Sequence, residues 1–138
     1  MNVSDIMTHK PVTIHPQNTL RMALEMMESV ACCHLPVISS AGHLVGILTD
    51  RDCRTALHSP FLARERWEDE SVAYDLLIRT IMTPAPIVTE PDAFVSEAVR
   101  LMRTHHINCL PVMRGETLVG ILTSSDILVA FVKVRSYV

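Results

Sequence analysis

A Thr-x-x-Asp motif occurs twice in this chain, and its residue types and spacing could do chemistry. The first copy is Thr49 to Asp52 within "VGILTDRD", and the second is Thr123 to Asp126 within "VGILTSSD". Each motif follows a short apolar stretch with a glycine, as expected where a strand leads into a helix. The same residues could therefore cap a helix start or hold a ligand against it.

Both interpretations rest on ordinary hydrogen-bond chemistry. In a capping box the threonine hydroxyl accepts a bond from the third helical N–H, and the acid reaches back to the threonine N–H. A helix start also offers unpaired N–H groups and a partial positive charge that favour phosphate. An ionised aspartate can accept bonds from both hydroxyls of a ribose. An isolated motif favours a cap, whereas two copies in one context favour a nucleotide site.

The residues within and just after the two motifs differ in charge. Arg51 and Arg54 lie near the first helix start, whereas Ser124 and Ser125 occupy the second without a cation. We expect the first site to tolerate more phosphates. The alternative, that both arginines are solvated helix residues, is equally open.

The chain is one unit written twice. The copies align at an offset of 75 residues, as with Met7 on Met82, and at 74 after the loop that precedes the second strand of each copy. Apolar periodicity and turn residues predict βαββα in each copy, with a hairpin turn at Gly42 and at Gly115. The lead-in strands are "PVTI" and "PIVT", and the last helices begin near Asp50 and Ser124.

This organisation predicts a mixed fold of class α/β (α+β). We expect a first repeat at residues 3–58, a linker with some helix at 59–74, and a second repeat at 75–133. A repeat of about 55 residues buries too little surface to be stable on its own. The two repeats are therefore expected to pack with pseudo-twofold symmetry into one compact module.

Composition excludes several functional classes. Hydrophobic residues make up 49% and charged residues 20%, with a net charge of −3, which is typical of a globular protein without a basic patch for nucleic acid. No apolar run approaches the roughly 20 residues of a membrane span, so we expect no membrane insertion and a cytoplasmic location. No serine, cysteine or lysine lies in a motif that would place an activating base next to it. No enzyme is therefore predicted.

The cysteines and histidines invite a metal hypothesis that the spacing does not support. Cys32, Cys33 and His34 are adjacent, and neighbouring residues of a strand point to opposite faces. No second ligand pair with zinc-like spacing follows, so a buried thiol role is favoured and no metal site is predicted. His105 and His106 are expected to end the second amphipathic helix.

The ordered set of motifs resembles a tandem pair of CBS domains, the module named after cystathionine β-synthase and also called a Bateman module. The residues that carry the resemblance are "DIMT" and "TIMT", "LPV" twice, and "VGILT-x-x-D" twice, from about Val3 to about Val132. The resemblance implies binding of AMP, ADP, ATP or S-adenosylmethionine in two clefts between the paired units. It also implies a homodimer that regulates an enzyme, a transporter or a channel.

The resemblance also implies two sets of site residues, each drawn from both repeats. The first site would use Thr49, Asp52, Arg51, Ile47, Thr83, Ile87 and Ile107. The second would use Thr123, Ser125, Asp126, Ile121, Thr8, Val12 and Cys32. His34 lies where such modules often place a basic phosphate contact. A ligand bound in this way would bias the angle between the units.

Two other functions remain as alternatives. In the first, the chain is a ligand-independent homodimerisation or scaffold protein, and both motifs are only helix caps. The other is a hydrolytic or metal enzyme built on the cysteines and histidines. The sensor of adenine nucleotides is the hypothesis that the repeated motif favours.

Overall fold

The computed structural model describes residues 1–58 and 71–136. Two compact units are present: unit 1 combines Met1–Pro11 with Pro86–Val138, and unit 2 is Val12–Ala85. The described elements follow in chain order: α1 (Val3–Ile6), β1 (Thr8–His9), α2 (Leu20–Val30), β2 (His34–Ile38), β3 (Leu44–Thr49), α3 (Asp50–Leu57), α4 (Ser71–Tyr74), α5 (Ile78–Ile81), β4 (Thr83–Pro84), α6 (Val95–His105), β5 (Cys109–Arg114), β6 (Thr117–Thr123) and α7 (Ser124–Ser136).

Each unit contains a three-stranded antiparallel sheet of the same design. The strand order is β2–β3–β4 in unit 2 and β1–β6–β5 in unit 1. The hairpins β2–β3 and β5–β6 turn at Gly42 and Gly115, whose φ angles are 83° and 60°. Glycine fits these turns because it adopts positive φ without a steric penalty. The mixed fold and both predicted hairpins are confirmed.

The helices bury one apolar face against their own sheet. In unit 2, Leu20, Ala23 and Met27 of α2 pack with Leu35 and Leu48 of the hairpin. In unit 1, the equivalent core is made by Ala98, Met102, Leu110, Val112 and Leu122, with Val3 and Met7. The spacing of three and four residues on α2 and α6 accounts for this, since such positions share one helix face.

The first few residues of each repeat pack in the unit formed by the other repeat. The N–H of Val3 in α1 donates to the Ala93 carbonyl at 2.9 Å, just before α6. Equivalently, the N–H of Ile78 in α5 donates to the Asn18 carbonyl at 2.8 Å, just before α2. The short strands β1 and β4 that follow each pair with the central strand of the unit they join. The exchange completes both sheets.

Some predicted elements differ in extent from the structure. The lead-in strands are reduced to single parallel bridges, Ile14 with Val37 and Thr89 with Val112. Most of the predicted linker lies outside the described residues, and its last part is the short helix α4. His105 ends α6 as predicted, and His106 caps it in the left-handed conformation.

The thiols at the start of β2 are not both buried as predicted. Cys33 is exposed and Cys32 is half-buried, because both residues precede β2 in the turn that follows α2. Cys53 and Cys109 are buried instead. The part of the chain that the structure describes brings no three metal-ligating side chains together. In that part, too, no helix combines the length and apolarity that a membrane crossing requires.

Glycine is required in the central strands because the exchanged segments approach them closely. A Cβ added at Gly120 would lie 2.6 Å from Met7 Sδ and 2.9 Å from the Thr8 carbonyl oxygen. At Gly46 it would lie 2.5 Å from Met82 Sδ and 3.0 Å from the Thr83 carbonyl oxygen. A methionine side chain can rotate away, but a paired backbone cannot.

Gly120→Ala and Gly46→Ala should therefore each lower the free energy of unfolding by about 1–3 kcal/mol through overpacking. Urea denaturation followed by circular dichroism measures the change. Gly115→Asn is the control, because its turn has open space and asparagine tolerates positive φ. A Gly120→Ala protein as stable as the wild type would contradict the close approach.

The four thiols should differ in reactivity. Burial raises the pKa of Cys109 to about 12 and that of Cys53 to about 11, with nearby aspartates adding to both effects. Because the thiolate is the reactive form, Cys53 and Cys109 should resist alkylation until the protein unfolds. Cys33 should react first. Mass spectrometry after limited alkylation checks the order, and early labelling of Cys109 would contradict it.

Candidate ligand-binding sites

The first Thr-x-x-Asp motif forms a complete capping box in unit 2. Strand β3 ends at Thr49 and α3 begins at the next residue, so Thr49 is the N-cap. Its hydroxyl accepts a bond from the Asp52 N–H at 3.1 Å, and Asp52 Oδ2 accepts one from the Thr49 N–H at 3.0 Å. The two bonds hold the carboxylate at the helix start without a ligand.

The second motif repeats this geometry in unit 1. The Thr123 N–H donates to Asp126 Oδ2 at 2.9 Å, and the Asp126 N–H donates to the Thr123 hydroxyl oxygen at 3.2 Å. That hydroxyl also donates to Asp126 Oδ2 at 3.0 Å. The two aspartates thus occupy equivalent, part-buried positions.

The exchanged strands bring a second threonine to each aspartate. Thr8 at the start of β1 places its hydroxyl 3.4 Å from Asp126 Oδ1. Thr83 at the start of β4 places its hydroxyl 3.5 Å from both carboxylate oxygens of Asp52. These contacts are at the long limit for hydrogen bonds between oxygens, so they are weak. One carboxylate oxygen is therefore held by the main chain while the other keeps acceptor capacity.

The isoleucines of the two sites lie beside these threonines. Ile47 pairs with Thr83 across β3 and β4, and Ile121 pairs with Thr8 across β6 and β1. Both isoleucines are buried. The five predicted residues Ile47, Thr49, Arg51, Asp52 and Thr83 therefore belong to unit 2, and Thr8, Ile121, Thr123, Ser125 and Asp126 belong to unit 1.

The remaining predicted residues belong to the opposite unit in each case. Ile87 and Ile107 pack against the core of unit 1. Cys32 packs against the core of unit 2, and Val12 is 40% exposed at the beginning of that unit. Their assignment to the ligand sites stays a prediction.

The residue opposite each motif threonine differs between the units. His34 pairs with Thr49 across β2 and β3, whereas Cys109 pairs with Thr123 across β5 and β6. The predicted phosphate contact His34 thus begins the strand beside the first motif. Cys109 is a buried thiol whose raised pKa keeps it neutral. A protonatable side chain accompanies one motif and an apolar one the other.

The predicted difference in charge between the first and the second motif is smaller in the structure. Arg54 Nη2 lies 3.0 Å from Asp50 Oδ2 in an exposed pair on α3, so Asp50 offsets the charge of Arg54. Arg51 is exposed at the same helix start. This exposed pair agrees with the alternative that Arg54 is a solvated helix residue, and the expected tolerance of more phosphates at the first site stays a prediction.

Sequence reasoning missed the residues that the exchanged strands carry. His9 and Lys10 follow Thr8 and are exposed, so unit 1 carries a cation two residues after the threonine that contacts Asp126. Pro84 and Ala85 occupy the equivalent positions after Thr83 and carry no charge. The signal was available, because the resemblance already implied Thr8 at the second site and its neighbours must follow.

Comparison with known proteins gives a family and several relatives. A family model for the CBS domain matches residues 3–59 and again 78–133. A CBS domain-containing protein of Dictyostelium discoideum is 37% identical over 134 residues, covering 96% of this chain and 92% of the relative.

Solved structures give the same result. The CBS domain pair of protein MJ0100, in complex with 5'-methylthioadenosine and S-adenosyl-L-methionine, is 30% identical with a TM-score of 0.80, covering 95% of each chain. CBSX2 in complex with AMP is 26% identical with a TM-score of 0.78, covering 97% of this chain and 98% of that one.

Relatives named as enzymes match over a small part of their length. The homoserine O-acetyltransferase of Methanohalophilus mahii is 33% identical over 129 residues, which span 92% of this chain but 24% of that enzyme. The matching region is therefore one part of a longer protein in that relative. The repeated motif, the two equivalent units and the double match together show that this chain belongs to the CBS domain family.

Proposed function

We propose that this chain is a regulatory module that binds adenosine-containing ligands at its two Thr-x-x-Asp sites and acts on a partner protein. The observation that carries the proposal is the hydrogen bonding of the Asp52 and Asp126 carboxylates. In each, the main chain holds the carboxylate in place while acceptor capacity remains toward a weakly bonded threonine. A ribose hydroxyl can replace that weak contact with a charge-assisted bond.

The ligands named for similar structures support the ribose as the recognised part. AMP, 5'-methylthioadenosine and S-adenosylmethionine share adenosine but differ at the 5' position. A carboxylate that reads the ribose would accept all three. The helix starts and the nearby cations would then distinguish a phosphate from a thioether or a sulfonium.

We further propose His34 and Arg51 as the residues that favour phosphate at the first site. His34 is paired with Thr49 across the sheet, and Arg51 lies in the first turn of α3. Ile87 and Ile107 are proposed to contact the base there, and Val12 and Cys32 to do so at the second site.

The regulated partner belongs to the same proposal. Enzymes such as homoserine O-acetyltransferase contain a region similar to this chain, which favours regulation of an enzyme, with a transporter or a channel as the other candidates. We propose that the chain acts as a cytoplasmic homodimer and performs no catalysis itself.

A ligand-independent scaffold is the second candidate. The observation in its favour is that both capping boxes are complete without a ligand, so neither motif needs one for local stability. Binding experiments separate the two functions.

Adenosine-containing ligands should raise the melting temperature of the protein. A ligand at about 100 times its dissociation constant stabilises the folded state by roughly 2.7 kcal/mol. Differential scanning fluorimetry with AMP, ADP, ATP, S-adenosylmethionine and 5'-methylthioadenosine tests this, with ribose-free adenine as the control. If none of the five shifts the transition and calorimetry detects no heat of binding, the scaffold function holds instead.

Asp52→Asn and Asp126→Asn should each weaken binding at one site by about tenfold to a hundredfold, because a charge-assisted bond to ribose becomes a neutral one. Asparagine can still accept the threonine N–H, so the cap and the melting temperature should change little. Isothermal titration calorimetry measures affinity and stoichiometry.

The matched control for this pair is Asp50→Asn, which removes a charge from the same helix start outside the capping box. It should leave the affinity within about threefold of the wild type, since exposed charges are strongly screened. Equal losses of ligand affinity in Asp50→Asn and Asp52→Asn would assign the effect to the overall negative charge at the helix start and not to a ribose contact.

A further inference from the structure

Two cysteines stand side by side in the turn between the helix α2 and the hairpin of unit 2. Cys32 and Cys33 follow Ala31, the left-handed cap of α2, and precede β2, which begins at His34. Cys33 is exposed and Cys32 is half-buried. Because both residues precede the strand, strand alternation does not direct their side chains to opposite faces. Unit 2 thus carries two thiols one peptide unit apart at its surface.

The backbone of the cysteine pair is tied to two helices. The Cys32 N–H donates to the Met27 carbonyl at 3.0 Å, near the end of α2. The Asp50 N–H donates to the Cys33 carbonyl at 2.9 Å. Asp50 is the first residue of α3, and an N–H at that position has no partner within its own helix. A change in the direction of the Cys33 carbonyl would therefore remove a hydrogen bond from the start of α3.

Unit 1 builds the same turn without sulfur. Ile107 and Asn108 are the equivalent residues, and they are half-buried and exposed in the same order as the cysteines. The Ile107 N–H donates to the Met102 carbonyl at 3.0 Å, and the Ser124 N–H donates to the Asn108 carbonyl at 2.9 Å. The backbone hydrogen bonds of this turn therefore do not require thiols. The adjacent cysteines are a chemical difference on an unchanged scaffold.

We propose that Cys32 and Cys33 are a site of reversible oxidation by hydroperoxides, at which a disulfide between the two neighbours forms and loosens the start of α3. Exposure lets the oxidant reach Cys33 first. Burial raises the pKa of the Cys32 thiol, and the neighbouring Cys33 adds to the rise, so Cys32 is the slower thiol to react with an oxidant. The proposal rests on neither ligand binding nor self-association.

The oxidation balances with the hydroperoxide as the co-reactant. The Cys33 thiolate attacks one peroxide oxygen, the O–O bond breaks, and the other oxygen takes up a proton and leaves as water or an alcohol. The Cys32 sulfur then attacks the sulfenic acid on Cys33. The S–S bond forms, the S–O bond breaks, and the hydroxide leaves as water with the proton of Cys32. The two thiols lose two electrons, which the hydroperoxide gains.

The ring that this disulfide closes accounts for its effect on α3. Adjacent Cα atoms are about 3.8 Å apart across a trans peptide, whereas disulfides usually join Cα atoms about 4.4–6.8 Å apart. The backbone of the pair must therefore change, and the strained bond is more easily reduced. The Cys33 carbonyl is attached to a Cα atom of the ring and turns with it. Its hydrogen bond from the Asp50 N–H should then break.

Limited oxidation of the protein with a small excess of hydrogen peroxide tests the disulfide. Mass spectrometry of the peptide that contains both cysteines should find it lighter by two hydrogen atoms, and dithiothreitol should restore its mass. In Cys32→Ser the sulfenic acid has no neighbouring thiol, so dimedone should label Cys33 there but not in the oxidised wild type. A sulfinic acid at Cys33, a disulfide between two copies of the chain, or an unchanged pair in the wild type overturns the proposal.

Amide hydrogen exchange measured by NMR tests the effect on α3. The Asp50 N–H should exchange about tenfold faster or more in the oxidised than in the reduced wild type, because it loses its hydrogen bond. The Ser124 N–H in unit 1 is the internal control and should keep its rate.

The matched variant Cys32→Ile/Cys33→Asn carries the residue pair of unit 1. Peroxide should leave the exchange rate of its Asp50 N–H unchanged, and circular dichroism confirms that the variant folds. A disulfide in the wild type without faster exchange at Asp50, or an equal effect of peroxide in the matched variant, overturns the coupling to α3.

Discussion

The pairing of a two-residue strand with a glycine-containing strand of the other repeat is the contact on which both units depend. Strand β1 closes the sheet of unit 1 on β6, and β4 closes that of unit 2 on β3. Gly120 and Gly46 permit it, because any side chain at these positions would collide with the incoming methionine and carbonyl. Without the exchange each sheet would be a bare hairpin, which is marginal in water. Each compact unit therefore combines the hairpin of one repeat with the first residues of the other repeat.

The same pairing builds the candidate sites. Each exchanged strand starts with a threonine that approaches the aspartate of a capping box, so the residues converge only when the exchange has formed. The cap in turn fixes the carboxylate before any ligand arrives, which lowers the entropic cost of binding. Helix cap and ligand site are thus compatible uses of one hydrogen-bond arrangement: the main chain holds one carboxylate oxygen, and the other keeps acceptor capacity.

The sequence allowed the helices, the hairpins and the capping boxes to be predicted, because each has a local signature. Apolar periodicity marks α2 and α6, Gly42 and Gly115 mark the turns, and Thr-x-x-Asp marks the helix starts. Strands β1 and β4 could not be predicted in this way. Two residues have no periodicity, and their pairing is decided by a distant partner. The prediction of the lead-in strands failed for a related reason. Each is a single bridge in the structure, and a bridge needs only one residue in register.

Local charge was predicted less well than local structure. The pair of Arg54 with Asp50 follows from a spacing of four residues on a helix and could have been recognised. Lys10 could be placed only through the resemblance that assigned Thr8 to the second site, because its compact unit is not the one in which most of its own repeat packs. A motif read in isolation therefore supplies the shape of a site but only part of its electrostatic field.

Duplication separates the positions that packing constrains from those that solvent leaves free. Ala23 and Ala98, like Met27 and Met102, are matched because each fills the same space against its sheet. An exposed position between them carries opposite charge, Glu25 in α2 and Arg100 in α6, and the residues opposite the two motif threonines are histidine and cysteine. Two copies of one fold can thus carry surfaces of different charge and candidate sites that differ in chemistry. Such a difference is required if the two repeats are to have different functions.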